Sequence, residues 1–236
     1  MYSCPIVILG GFLSKSEHYN EMKAALAKIT GRSVYTVPVK LCDWLRSISA
    51  SGWGLILDKL DQIVKTALLD SGVDRVVLVG HSSGGVMGRL YLSPEPFRGR
   101  CYAGNESVQA LITLGSPNQN RKGSPMRLRV ERLLPGAFFA PNVRYISVAG
   151  SAVLGRKRGS RKQRSAFRSY NTLSGKGQVW GDGLVPLPSA LLEGACPIIL
   201  EGVFHDPTRN RIWYGSKDAV LDWWERSCRH LEGKGD

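Results

Sequence analysis

Short apolar runs alternate along the chain with longer stretches whose apolar positions recur every three or four residues. Residues 5–9 (PIVIL), 34–39, 76–79, 108–114, 143–149 and 197–200 are compact apolar runs, several rich in β-branched residues, as buried strands require. Between them, Tyr19, Met22, Leu26 and Ile29 share one face of a helix expected over 14–29 and ended by Gly31. Ile56, Leu60, Ile63, Ala67 and Leu68 do the same over 55–71. Val86, Met87, Leu90 and Tyr91 fall at helical spacing after the third strand, and Val220, Leu221, Trp224 and Cys228 do so over 216–231. Residues 41–54, with Trp44 and Trp53, follow neither period and are expected as a loop crossing the rim of a site. Strands that alternate with helices build β-α-β units. The expected class is α/β, with a mostly parallel sheet of about six strands flanked by helices.

Composition narrows the class. With 236 residues the chain can bury a full core as a single domain over 1–236. Hydrophobic and charged contents of 43% and 22% are those of a soluble globular protein. No apolar run approaches the roughly 20 residues of a membrane-crossing helix. The apolar start lacks a basic n-region and a small-residue cleavage site, so it reads as a first strand and not as a secretory signal. Five cysteines without C-x-x-C spacing argue against a disulfide framework or zinc site and for a reducing compartment. Cys42 and Cys228 are expected as small buried apolar residues. Cytoplasm is the expected location, with peripheral membrane contact; the stroma of a plastid, after loss of a transit peptide, is the alternative.

Charge changes the picture further. The net charge is +13, and thirteen basic residues lie between Arg121 and Arg168 against one acid, Glu131. Such asymmetry suggests an anionic partner. Residues 119–140 set Leu128, Val130, Leu133, Leu134, Phe138 and Phe139 among arginines, a pattern that suits an anionic membrane surface or a packed amphipathic helix. Residues 151–168 hold too little apolar content for a core and are expected as a basic, mobile loop. Nucleic acid is disfavoured, because aromatic interleaving and a recognised reader fold are both absent.

The chemistry centres on residues 76–91, VVLVGHSSGGVMGRLY, a strand followed by Gly80-His81-Ser82-Ser83-Gly84 and then a helix. This is G-x-S-x-G in the context that presents a serine hydroxyl on a sharp turn. A serine is a poor nucleophile until a base lies within reach and its Oγ is exposed to the substrate. Small residues flank it because side chains would collide with neighbouring backbone. Together with Gly10-Gly11-Phe12, Leu114-Gly115-Ser116-Pro117, and the run from Gly181 to Pro186 followed by His205, this motif resembles the α/β-hydrolase superfamily, in particular its lipase and esterase members.

The resemblance implies a triad in the chain order serine, acid, histidine, with no metal and no organic cofactor. Of four histidines, His18 precedes the serine, His81 lies inside the motif, and His230 sits in the terminal helix, which leaves His205 as the base. Asp182, between glycines, is preferred as the acid to Asp206, adjacent to His205, and to Glu201 at a strand end, although a long basic insertion separates Asp182 from the preceding strand. By position, the resemblance assigns the oxyanion donors to the backbone N–H groups of Phe12 and Ser83. Gly10 stands where the family commonly has histidine, so the loop must be held differently. Residues 118–140 lie where the family inserts a cap or lid. The implied activity is hydrolysis of a carboxylic ester of an acyl lipid or other apolar substrate through an acyl-enzyme on Ser82. An acyltransferase or thioesterase on the same fold is the alternative, as is a non-catalytic module whose basic segment binds membranes or nucleic acid.

Overall fold

The computed structural model describes residues 4–207 and 211–231; residues 1–3 of the apolar start lie outside them. In chain order the elements are β1 (Ile6–Leu9), α1 (Asn20–Thr30), β2 (Val34–Thr36), α2 (Leu41–Arg46), α3 (Ala50–Ser71), β3 (Val76–His81), α4 (Ser83–Tyr91) and α5 (Gly104–Ser107). They continue with β4 (Val108–Leu114), α6 (Pro125–Leu133), β5 (Arg144–Ser151), β6 (Val153–Leu154), α7 (Arg161–Ser174), β7 (Trp180–Gly181), α8 (Leu187–Ala190), β8 (Cys196–Glu201) and α9 (Lys217–Leu231). Six strands form one sheet in the order β2-β1-β3-β4-β5-β8, and every pairing in it is parallel. This is the α/β-hydrolase architecture.

A parallel sheet is covered on both faces, so its strands are apolar throughout rather than alternating. Ile6, Ile8, Val77, Val79 and Ile112 enter a core shared with α1 and α9. Their neighbours Val7, Leu9, Leu78 and Leu111 enter a second core with α3, α4 and α6. The chain runs from β1 outward to β2 and returns to β3 on the other side of β1, which makes a switch point between β1 and β3. Ligands of open α/β sheets bind beyond the carboxyl ends of strands at such a point. There the loop after β1 meets the turn after β3.

Three expectations change. Residues 41–54 are not a loop: α2 and the start of α3 occupy them, and Trp44 and Trp53 are buried. Gly52, which weakens helix propensity there, has a packing reason, since a Cβ on it would lie 2.1 Å from the Arg46 carbonyl oxygen. Residues 151–168 are not one loop either. β6 and β7 pair antiparallel around α7, which Ser160 and Gln163 open with reciprocal side-chain-to-backbone bonds. Ala166, Tyr170 and Leu173 bury one stripe of α7 while its arginines face outward. Finally, Cys42 is exposed and Cys228 half-buried. On the short α2 the inward positions belong to Asp43 and Trp44, leaving Cys42 outside.

Within 118–140, α6 packs Met126 and Val130 inward and leaves Leu128 and Leu133 exposed. The buried Arg89 of α4 ties this segment down by donating to the carbonyls of Asn118, at 2.9 Å, and Leu134. No helix among the described residues is long and apolar enough to cross a membrane.

Candidate active site

The turn after β3 holds Ser82 at φ 52° and ψ −121°, a left-handed backbone that residues with a Cβ rarely adopt. Neighbouring backbone keeps it there. Ser82 N–H donates to the Leu114 carbonyl at 2.9 Å. A Cβ on Gly84 would stand 2.3 Å from the Leu9 carbonyl oxygen, so only glycine lets α4 approach β1 this closely. α4 starts at Ser83, with its amino end at the site.

Ser82, Asp182 and His205 converge from three separate segments. His205 Nε2 lies 3.0 Å from Ser82 Oγ, and His205 Nδ1 lies 2.7 Å from Asp182 Oδ2. All three are buried. Asp182 Oδ1 accepts from the backbone N–H groups of Leu184 and Val185 at 2.9 and 2.7 Å, and Tyr214 Oη donates to Oδ2 at 2.9 Å. With the carboxylate accepting at Nδ1, the imidazole carries its proton there and leaves Nε2 free to accept from the serine hydroxyl. The basic insertion that precedes Asp182 does not displace it. Tyr170 of α7 accepts from Gly183 N–H at 2.8 Å and, through Oη, donates to the Val153 carbonyl at 3.2 Å, returning the chain to the sheet edge. Asp206 and Glu201 do not contact the imidazole as Asp182 does.

Burial is the largest influence on His205 and pulls its pKa down. The charge of Asp182 and its hydrogen bond, with the charge of Asp206, more than offset burial, and the pKa lies above the ordinary histidine value. The sign for catalysis follows. A base must be neutral, so kcat/KM is expected to fall with decreasing pH through a value above about 6.5. A pH profile checks this; an acid limb with its midpoint below that value would contradict the assignment. For stability the sign is opposite. The protonated, Asp182-paired state contributes fully below the unfolded pKa and is lost as pH rises through the folded one.

Three residues are central to the geometry without a role in the sequence reading, where His81 enters only as part of the motif, Tyr19 only as a helix face, and Tyr214 not at all. His81, excluded as the base, is buried and neutral, its pKa lowered by burial and by His205. Its Nε2 faces the His205 carbonyl oxygen at 3.1 Å and must carry the proton, so Nδ1 accepts from Tyr19 Oη at 2.8 Å. Tyr19 Oη in turn accepts from Gly11 N–H at 2.8 Å, and Ser14 Oγ donates to the Gly11 carbonyl at 2.6 Å. The loop that carries Phe12 is therefore held by Tyr19 where the family commonly uses histidine at Gly10. A Cβ on Gly11 would lie 2.8 Å from Ser82 Cβ, which shows how closely this loop abuts the serine. Tyr214, the third, also accepts from Gly150 N–H at 2.7 Å. Periodicity identifies such aromatics as buried but carries no information about what their hydroxyls meet.

The cleft at Ser82 has a volume of about 470 Å³. Its wall includes Phe12, Leu13, Leu184 and Trp213 beside Ser82 and His205. Phe12 and Leu13 are exposed at its rim, and Phe12 meets Trp44 edge to face.

No family model matches the chain, and no curated protein matches its sequence significantly. Solved structures do share its fold. Phospholipase PlaB from Legionella pneumophila, in complex with thio-NAD, superposes with a TM-score of 0.63 at 14% identity over 98% of this chain. The match spans 62% of PlaB, less than two thirds of its length. The lin2722 product of Listeria innocua gives 0.57 at 14% identity, covering 94% of this chain and 93% of the other. A protein from Xanthomonas campestris pv. campestris, described as a hydrolase of the alpha/beta superfamily, gives 0.54 at 16% identity, covering 94% and 99%. At these identities the likeness is one of fold. What they share with this chain is the α/β-hydrolase fold.

Proposed function

We propose that the protein is a lipase-like serine hydrolase that cleaves a carboxylic ester of an acyl lipid or other apolar substrate. The observation that carries this reading is His205 bridging Ser82 Oγ at 3.0 Å and the Asp182 carboxylate at 2.7 Å. Ser82 attacks the ester carbonyl while His205 takes its proton and then returns it to the leaving alcohol. Asp182 stabilises the imidazolium, and the N–H groups of Phe12 and Ser83 receive the oxyanion. Water deprotonated by His205 attacks the acyl-enzyme, releasing the acid and regenerating Ser82. The apolar cleft wall favours an acyl chain over a polar acid.

Exposure of the folded protein to a fluorophosphonate probe tests this. Covalent labelling located on Ser82, together with acid released from short-chain esters, supports it; a folded protein that does neither refutes it. Acid appearing as a new ester when alcohol is added would instead indicate acyl transfer.

The same reading places the basic face on an anionic membrane. Exposed Leu128, Leu133 and Phe138 lie among the exposed Arg129 and Arg132. Juxtamembrane basic residues contribute about 1 kcal/mol each. Co-sedimentation with vesicles containing phosphatidylserine, and release by salt, is the expected result; equal recovery with neutral vesicles would remove this part.

A further inference from the structure

Arg127 has no role in the proton transfers above, yet it stands beside them. It projects from α6, and its guanidinium donates to Ser83 Oγ at 2.9 Å, one residue from the nucleophile. It lines the main cleft and also a second groove, of about 430 Å³, that opens from Ser82 between α6 and α7. Arg168, Ser169 and Thr172 of α7 form the far wall of that groove, with Pro117 and Leu184 at its sides. Among the described residues neither arginine is in an ion pair.

An arginine partly withdrawn from water without a carboxylate is costly to keep charged, and burial does disfavour its charge here. The bond to Ser83 uses one of five guanidinium donors and leaves the rest for another acceptor. The planar fork suits the paired oxygens of a phosphate or carboxylate. Ser169 and Thr172 on the same wall already donate their hydroxyl protons to the carbonyls of Leu184 and Arg168, so the arginines are the groove's donors, and the excess of positive charge in this region draws anions toward it.

The geometry points to an anion subsite: the ester attacked by Ser82 carries a phosphate or carboxylate that Arg127 and Arg168 hold in this groove, while its apolar part lies in the main cleft. This rests on the esterase reading and narrows it to acidic esters. It also divides the labour of the two openings, one for chain and one for charge.

The test compares matched pairs of esters on wild type, Arg127→Gln, Arg127→Lys and Arg168→Gln. One pair is dihexanoyl phosphatidate and dihexanoylglycerol, presented below micelle formation. The other is 4-nitrophenyl hydrogen glutarate and 4-nitrophenyl pentanoate. The quantity read is kcat/KM for the anionic ester over that for its neutral partner. Arg127→Gln is expected to lower this ratio roughly 10- to 100-fold, as loss of a charge-assisted hydrogen bond implies. The exposed Arg168→Gln should lower it roughly two- to fivefold. Arg127→Lys should fall between wild type and Arg127→Gln. A drop confined to the phosphatidate pair assigns a lipid headgroup, and one confined to the glutarate pair assigns a soluble acid; either supports the subsite. An unchanged ratio in both pairs, whether or not the absolute rates fall, overturns it, and an equal loss on both members places Arg127 at the oxyanion instead. Because Arg168 is exposed on α7, its variant keeps the test open should Arg127→Gln fail to fold. If wild type cleaves no ester and takes no fluorophosphonate, the esterase reading and the subsite fall together. Turnover with an unchanged ratio removes the subsite alone.

Discussion

Replacement of Ser82 by alanine is expected to lower kcat on a short-chain ester by about 10⁶-fold and to abolish fluorophosphonate labelling. His205→Ala should be nearly as damaging, and the double variant no worse than either single one. Nucleophile and base act as a unit, so once one is gone the other has nothing to do. The geometry gives the reason. His205 Nε2 is 3.0 Å from Ser82 Oγ, and His81, the ring beside it, is committed to Tyr19 and to the His205 carbonyl. No other described side chain is placed to serve as base. Residual turnover should come from binding and oxyanion donors alone. Single-turnover kinetics on purified protein, with circular dichroism to verify folding, measures both losses. Retention by Ser82→Ala of more than about a hundredth of the rate would show that the nucleophile lies elsewhere.

Asp182→Asn should cost about 10⁴-fold in kcat, for a different reason. The carboxylate is surrounded by donors on every side: two backbone N–H groups at Oδ1, and Tyr214 Oη with His205 Nδ1–H at Oδ2. An asparagine amide has one accepting oxygen. Its NH₂ must face either the two backbone donors or Tyr214 and the imidazole, leaving donors opposed to donors in a buried site. If it turns toward His205, Nδ1 becomes the acceptor and the proton moves to Nε2, where it can no longer accept from Ser82. Each orphaned buried donor also costs about 1–3 kcal/mol, so the melting temperature should fall along with the rate. The pH profile separates this from simple damage. The raised pKa of His205 depends on Asp182, so the acid limb of the residual activity should move to lower pH in the variant. An acid limb left in place would mean that another group sets it.

Legibility in the sequence followed the range of the interactions. Strand, turn and helix around Ser82 are local, and a glycine-bounded apolar run with helical spacing after it is enough to identify them. His205 and Asp182 were reachable because few alternatives existed and chain order restricts them. The hydroxyls of Tyr19 and Tyr214 were not reachable. Each meets a partner tens of residues away, His81 and Asp182, and a buried tyrosine has the same periodicity whatever its hydroxyl touches. α7 was hidden by its arginines, since only Ala166, Tyr170 and Leu173 mark its inner stripe. α2 and the start of α3 were hidden by Gly52 and Gly54, which look like breakers, although Gly52 serves close packing against the Arg46 carbonyl. Arg127 was visible only as one cation among thirteen; its place beside Ser83 depends on how α6 sits on α4.

The backbone at Ser82, φ 52° and ψ −121°, has a further consequence. A residue with a Cβ held in so sparsely populated a region costs about 1–3 kcal/mol, and the surrounding hydrogen bonds and glycine contacts must over-determine it. Glycine would accept the same angles without that cost, and alanine would not. Ser82 is thus a place where thermal robustness and usefulness pull in opposite directions. A population of variants screened for heat resistance alone should drift toward glycine there, and its most durable members would be the inert ones.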